Sequence, residues 1–142
     1  MLVAQILKDK GDIVFTASPT DTVGAAAALL HSRKVGAMVV LDADQSVVGI
    51  LSERDVVRMI AEAGAGALDR PISAAMTVDV LFAEPGEAVD VLLSRMTDRR
   101  VRHLPVCKNG RLLGIVSIGD LVKTKIAEIE AEANGLKAYI SA

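Results

Sequence analysis

The chain has 142 residues and a formal net charge of −2, which excludes an overall basic field of the kind that holds nucleic acid. It is 51% hydrophobic but only 2% aromatic, so a core must be built from Ala, Val, Leu, Ile and Met. One cysteine, Cys107, excludes an internal disulfide and suits a cytoplasmic protein, and no window approaches the roughly 18 uncharged apolar residues of a membrane span.

The opening "MLVAQILKDKGD" reads as a short terminal helix, its apolar stretch too brief for a secretion signal and cleavage site. A β-type run, "IVFTASP", comes next, followed by an Ala-rich helical stretch, "TVGAAAALLHSRKV". Two strands, "AMVVL" and "VVGIL", then lead into a helix at Ser52. In "AEAGAGALDRPISAAMT", Gly64, Gly66 and Pro71 break that helix and mark a linker. The order then recurs: "VLFAEP", the helical "AVDVLLSRMTDRRV", and the strands "HLPVC" and "LLGIV" flanking Asn109-Gly110, a strong hairpin signal. A last helix is expected from about Asp120, with a weak point or end at Asn134-Gly135.

The recurrence is an internal repeat. Laying Pro19 over Pro85 aligns Val23 with Val89, Arg33 with Arg99, Val35 with Val101 and Val40 with Val106. After a one-residue gap, Gly49, Ile50, Ser52, Asp55 and Val57 fall on Gly114, Ile115, Ser117, Asp120 and Val122. Each unit reads β-α-β-β-α and is too small to close a core alone. The expected division is 1–66, N-terminal helix and first repeat, and 67–142, linker, second repeat and C-terminal helix. A mean hydropathy of +0.42 beside 24% charged residues points to apolar faces covered in an oligomer.

Two readings of the repeated Ser-x-x-Asp stand side by side. A serine before a helix accepts from a first-turn N–H, and an acid three residues on complements the helix dipole. A helix N-terminus with a serine hydroxyl also suits phosphate, and a nearby carboxylate suits the paired hydroxyls of a ribose. Capping and ligand binding are compatible.

The stretches "VGAMVVLDADQSVVGILSERDVVR" and "VRHLPVCKNGRLLGIVSIGDLVK" resemble the CBS domain pattern, and a tandem CBS pair covers about Lys8 to Ile129. The chain is especially similar to small stand-alone bacterial proteins of one such pair. The resemblance implies an α/β fold of the α+β type, two repeats packed with pseudo-twofold symmetry, and two clefts between them. It also implies adenosine-type ligands (AMP, ATP, NAD or S-adenosylmethionine) and disc-shaped homodimers.

Carried over position by position, the resemblance implies that Asp55 and Asp120 bind ribose, with Ser52 and Ser117 beside the phosphate. The base would lie against the first strand of each repeat, at Val14 and Thr16 and at Val80 and Phe82. Ala37 and Met38 would close one pocket, and His103, Leu104 and Pro105 the other. Arg102 and His103 match positions that contact phosphate in the family; the first repeat has the uncharged Gly36 and Ala37 there, and Val39 in place of Pro105. Arg54 has two readings, a solvated first-turn residue or a phosphate contact.

Other chemistry finds little support. His103 and Cys107, four apart on one strand, would stand about 13 Å apart, too far for a nucleophile–base pair. Two histidines and one cysteine make no metal-ligand cluster. His31 reads as a surface residue, and Met38, Met59, Met76 and Met96 read as core. Between Arg95 and Arg111 six basic residues face a single acid, Asp98, a solvated face or an anion contact. The acidic Glu128, Glu130 and Glu132 read as a solvated helix face or a partner for another subunit's basic stretch. The expected function is a non-catalytic, adenosine-nucleotide-binding regulatory module, homodimeric, with an unknown protein partner. The alternative is a structural dimerisation or scaffold protein whose Ser-x-x-Asp couples are only caps.

Overall fold

The computed structural model describes residues 1–11 and 14–141. In chain order the elements are α1 (Val3–Lys10), β1 (Thr16–Ala17), α2 (Val23–Arg33), β2 (Ala37–Leu41), β3 (Val47–Ser52) and α3 (Glu53–Ala63). Two 3-10 turns follow (Gly64–Asp69 and Ile72–Ala74), then α4 (Val89–Arg99), β4 (His103–Lys108), β5 (Arg111–Ser117) and α5 (Ile118–Ser141). None of these helices is long and apolar enough to cross a membrane.

Two compact units divide the chain, Ile13–Leu81 and Met1–Asp12 with Phe82–Ala142. The division differs from the expected one at 66/67 because each segment ahead of a repeat packs on the other repeat. Ile50 and Thr77 exchange backbone hydrogen bonds of 3.0 and 2.9 Å, so the linker's end joins the first repeat's sheet. Leu7 of α1 lies over Gly114 of β5, so the N-terminal helix joins the second repeat.

In the Ile13–Leu81 unit, β1 runs parallel to β2, which pairs antiparallel with β3. Of the expected run "IVFTASP", Ile13 lies outside the described residues, and only Thr16 and Ala17 form strand. Thr22 caps α2 by accepting from the Ala25 N–H at 3.1 Å. Val23, Ala26 and Leu30 on α2 then share one face and pack with Met38, Val40, Leu51 and Met59.

The other unit repeats the plan in register. Val89, Leu92 and Met96 of α4 occupy the positions of Val23, Ala26 and Leu30, and they are buried with Leu104, Val106, Val116 and Leu121. β4 and β5 form the expected hairpin, with positive φ at Asn109 (54°) and Gly110 (75°) as a two-residue I′ turn requires. Both hairpins shift register at equivalent places, between Val40 and Leu41 and between Val106 and Cys107. The leading strand expected at "VLFAEP" is reduced to one bridge, Ala83 to Val106.

The C-terminal helix also departs from expectation. It runs unbroken from Ile118 through Asn134-Gly135 to Ser141. One glycine costs about 1 kcal/mol in a helix, and the surrounding Ala131, Ala133, Leu136, Lys137 and Ala138 are good helix formers that outweigh it.

Candidate functional site

Each Gly-x-x-Ser-x-x-Asp stretch folds as a strand end passing directly into a helix. Ser52 Oγ accepts from the Asp55 N–H at 3.3 Å, while Asp55 Oδ2 accepts from the Ser52 N–H at 2.9 Å. Ser117 Oγ accepts from the Asp120 N–H at 3.1 Å, and Asp120 Oδ2 from the Ser117 N–H at 2.9 Å. Both couples are therefore reciprocal caps, each satisfying donors that a helix start leaves without intrahelical partners.

The strand ahead of each hairpin is brought against its cap. Ala37 stands opposite Ser52 and His103 opposite Ser117. The Glu53 N–H donates to the Gly36 carbonyl at 3.0 Å, and the Ile118 N–H to the Arg102 carbonyl at 2.8 Å.

Beyond the caps the two aspartates diverge. Asp55 is 3% exposed, and its Oδ1 accepts from Arg58 Nη1 at 2.9 Å and Thr77 Oγ1 at 3.3 Å. Arg58 also donates from Nη2 to the Ala75 carbonyl at 2.8 Å, which ties the linker to α3. With both oxygens engaged and the group buried, a ribose hydroxyl would have to share or displace one of the Asp55 partners.

The Asp120 side chain is 26% exposed. Its Oδ2 also accepts from Lys10 Nζ at 2.6 Å, and Lys10 donates in addition to the Ile115 carbonyl at 3.0 Å. Among the described residues, Oδ1 has no hydrogen-bond partner. Burial pushes the carboxyl's pKa up, but the Lys10 hydrogen bond and charge, with the Ser117 hydrogen bonds, outweigh it and hold Asp120 below the ordinary carboxylate value. The result is an ionised, half-open carboxylate at the start of a 24-residue helix.

Of the remaining expected residues, Met38, Leu104 and Pro105 bury their side chains in the unit cores, so only their backbones can border a ligand. Arg54 and Arg102 are exposed, Val14 is half-buried, and Val80 and Phe82 fall in different units. Thr16 lines an open hollow of about 360 Å³ with Asp21, Leu41 and Asp42. Ala43 and Gln45 of the hairpin turn also line it, which sets it at the turn end of the β2–β3 pair rather than at the Ala37–Ser52 end. Three residues of the site were not foreseen. Arg58 carried a local signal, a cation three residues after Asp55 on one helix. Lys10 and Thr77 carried none, because they arrive from the segments ahead of the repeated β-α-β-β-α units.

Cys107 is half-buried, and burial pushes its thiol pKa up, which disfavours the nucleophilic thiolate at neutral pH. It faces Leu112 while His103 faces Ser117, so the hairpin register does not bring them together. His31 is exposed, as expected of a surface residue. Arg95 pairs with Glu87, while Arg99, Arg100, Arg102, Lys108 and Arg111 lie in solvent. Among the described residues, no three His, Cys, Asp or Glu side chains gather as metal ligands would.

Comparison with known proteins agrees with this architecture. The CBS domain family pattern matches twice, at residues 10–62 and 72–126. A CBS-domain containing protein of Agrobacterium tumefaciens, known by crystal structure, is 46% identical, with a TM-score of 0.85 over 87% of this chain and 92% of that one. The mitochondrial CBS domain-containing protein CBSX3 of Arabidopsis thaliana is 32% identical over 97% of this chain and 71% of its own length. The CBS domain pair of protein MJ0100, solved with 5-methylthioadenosine and S-adenosyl-L-methionine, superposes with a TM-score of 0.80. That likeness covers 90% of this chain and 98% of the other at 24% identity, a likeness of fold. Two family matches in tandem, each containing the same strand-to-helix cap, establish that this chain belongs to the CBS domain family.

Proposed function

We propose that the protein is a non-catalytic regulatory module of the cytoplasm that binds an adenosine nucleotide at its second repeat, through Asp120. The carrying observation is the open Oδ1 of an ionised Asp120 beside the Ser117 cap, set against the closed carboxylate of Asp55. Oδ1 is free to accept from a ribose hydroxyl, the second hydroxyl sharing that oxygen or displacing Lys10 from Oδ2. The exposed Arg102 supplies the positive charge that phosphate needs, and Ser117 presents the helix start. The MJ0100 pair was solved with two adenosine-derived ligands, neither of which carries a phosphate, and so supports the adenosine part of this reading. AMP, ATP and NAD all carry the required ribose and phosphate. Such binding regulates only if the ligand favours one of two states of the module, which an unidentified protein partner would then read.

A scaffold reading keeps one specific observation in its favour, since both Ser-x-x-Asp couples do close as caps. Native mass spectrometry of untreated protein separates the two. A retained mass matching an adenosine nucleotide, lost in Asp120→Ala, supports the sensor. Ligand-free protein that also fails to take up added AMP, ATP or NAD supports the scaffold.

A further inference from the structure

Helix α5 carries two faces. Leu121, Lys125 and Glu128 turn toward the rest of their unit: Leu121 is buried, Lys125 reaches Asp90 at 3.0 Å, and Glu128 reaches the N-terminal amine at 2.7 Å. About 100° around the helix lies a second row, Val122, Ile126, Ile129, Ala133, Leu136 and Ile140, at spacings of 4, 3, 4, 3 and 4. Its five large members are 44 to 75% exposed. Alternating steps of three and four are the spacing of a coiled-coil seam, with Val122, Ile129 and Leu136 at d and Ile126, Ala133 and Ile140 at a. The row runs past residue 126, where the second family match ends.

The flanking charges select the occupant. In this frame Lys125 and Glu132 stand at g, and Glu130 and Lys137 at e. A parallel, in-register second copy meets each g residue with the e residue five positions on, so Lys125 faces Glu130 and Glu132 faces Lys137. Twofold symmetry doubles both pairs, and all four are attractive. Among the described residues, Glu130, Glu132 and Lys137 form no ion pair within their own chain. Lys125 would exchange exposed Asp90 for Glu130, a small cost between solvated pairs. Asn134 and Gly135, which weaken the helix, fall at b and c, off the seam.

We infer that α5 pairs with α5 of a second copy of this chain as a parallel two-stranded coiled coil along Val122–Ile140. The inference stands apart from any nucleotide binding. Leu136→Cys in a Cys107→Ser background tests it, oxidised in dilute solution beside Ala138→Cys, which sits on the opposite side of the helix. The seam predicts disulfide-linked dimers for Leu136→Cys well above the Ala138→Cys level. In the Leu136→Cys background, Glu132→Lys and Lys137→Glu should each lower the yield about fivefold, and mixing the two should restore it through heterodimers. Cross-linking of Leu136→Cys no better than Ala138→Cys, or no recovery on mixing, overturns it; an antiparallel pairing gives the first of these results.

Discussion

Lys10 Nζ sits 2.6 Å from Asp120 Oδ2, although the two residues lie 110 positions apart in the chain. Thr77 stands in the corresponding relation to Asp55, at 3.3 Å. In both units the capped aspartate is therefore also where the segment ahead of the other repeat is fastened. The fastenings differ in kind. Thr77 and Arg58 close the first carboxylate, whereas Lys10 charges and orients the second while leaving one oxygen open.

The Lys10 contact makes part of the stability acid-sensitive. A carboxyl held lower in the folded chain than in the unfolded chain stabilises above the unfolded value of about 3.9, and loses that contribution as pH falls through the folded value. Lys10→Met should lower stability by about 0.5–1 kcal/mol at pH 7, since the pair is partly exposed. The difference between the two proteins should shrink as pH falls below about 4. Urea melts across pH 2.5–7 check this; a difference unchanged with pH would mean that Lys10 acts by packing alone.

The two aspartates should respond differently to truncation. Asp55→Ala removes a cap and leaves Arg58 and Thr77 without their buried acceptor, a loss of about 2–4 kcal/mol. Asp120→Ala removes a cap and an exposed ion pair, about 1–2 kcal/mol. Thermal melts of the ligand-free proteins should place Asp55→Ala well below Asp120→Ala.

The paired glycines predict a third asymmetry. A Cβ on Gly49 would come 2.7 Å from Met76 Sδ and 3.0 Å from the Thr77 carbonyl, a backbone atom that cannot give way without breaking the Ile50–Thr77 pairing. On Gly114 it would meet only the end of the Leu7 side chain, at 2.7 Å, which can rotate aside. Gly49→Ala should cost about 1–3 kcal/mol and Gly114→Ala less than about 1. Equal losses in denaturant melts would show that α1 is held as rigidly as the linker.

Much of this was legible in the sequence because it is local. Asn109-Gly110 with its flanking apolar runs defines a hairpin, and the period of Val89, Leu92 and Met96 defines a helix face. The Ser-x-x-Asp couples were legible as caps for the same reason. The closing of Asp55 was not, since Thr77 comes from 22 residues away and its hydroxyl matters only once the linker has turned back onto β3. Nor was Lys10, whose pairing depends on α1 packing over Gly114. Sequence likeness gave the two aspartates one role; their tertiary partners, which no spacing reveals, set them in different surroundings.

The most direct test of the account is calorimetric titration of wild type, Asp120→Ala and Arg58→Ala with AMP, ATP and NAD. If Asp120 accepts from the ribose, its truncation should cost roughly 2–4 kcal/mol, a loss of about 30- to 1000-fold for the best wild-type ligand. Arg58→Ala, which disturbs the closed first-repeat carboxylate and the Ala75 carbonyl contact within the same unit, should bind nearly as wild type does. A best ligand that binds Asp120→Ala within about threefold of wild type, a difference under about 0.7 kcal/mol, would contradict the account and leave both couples as caps alone.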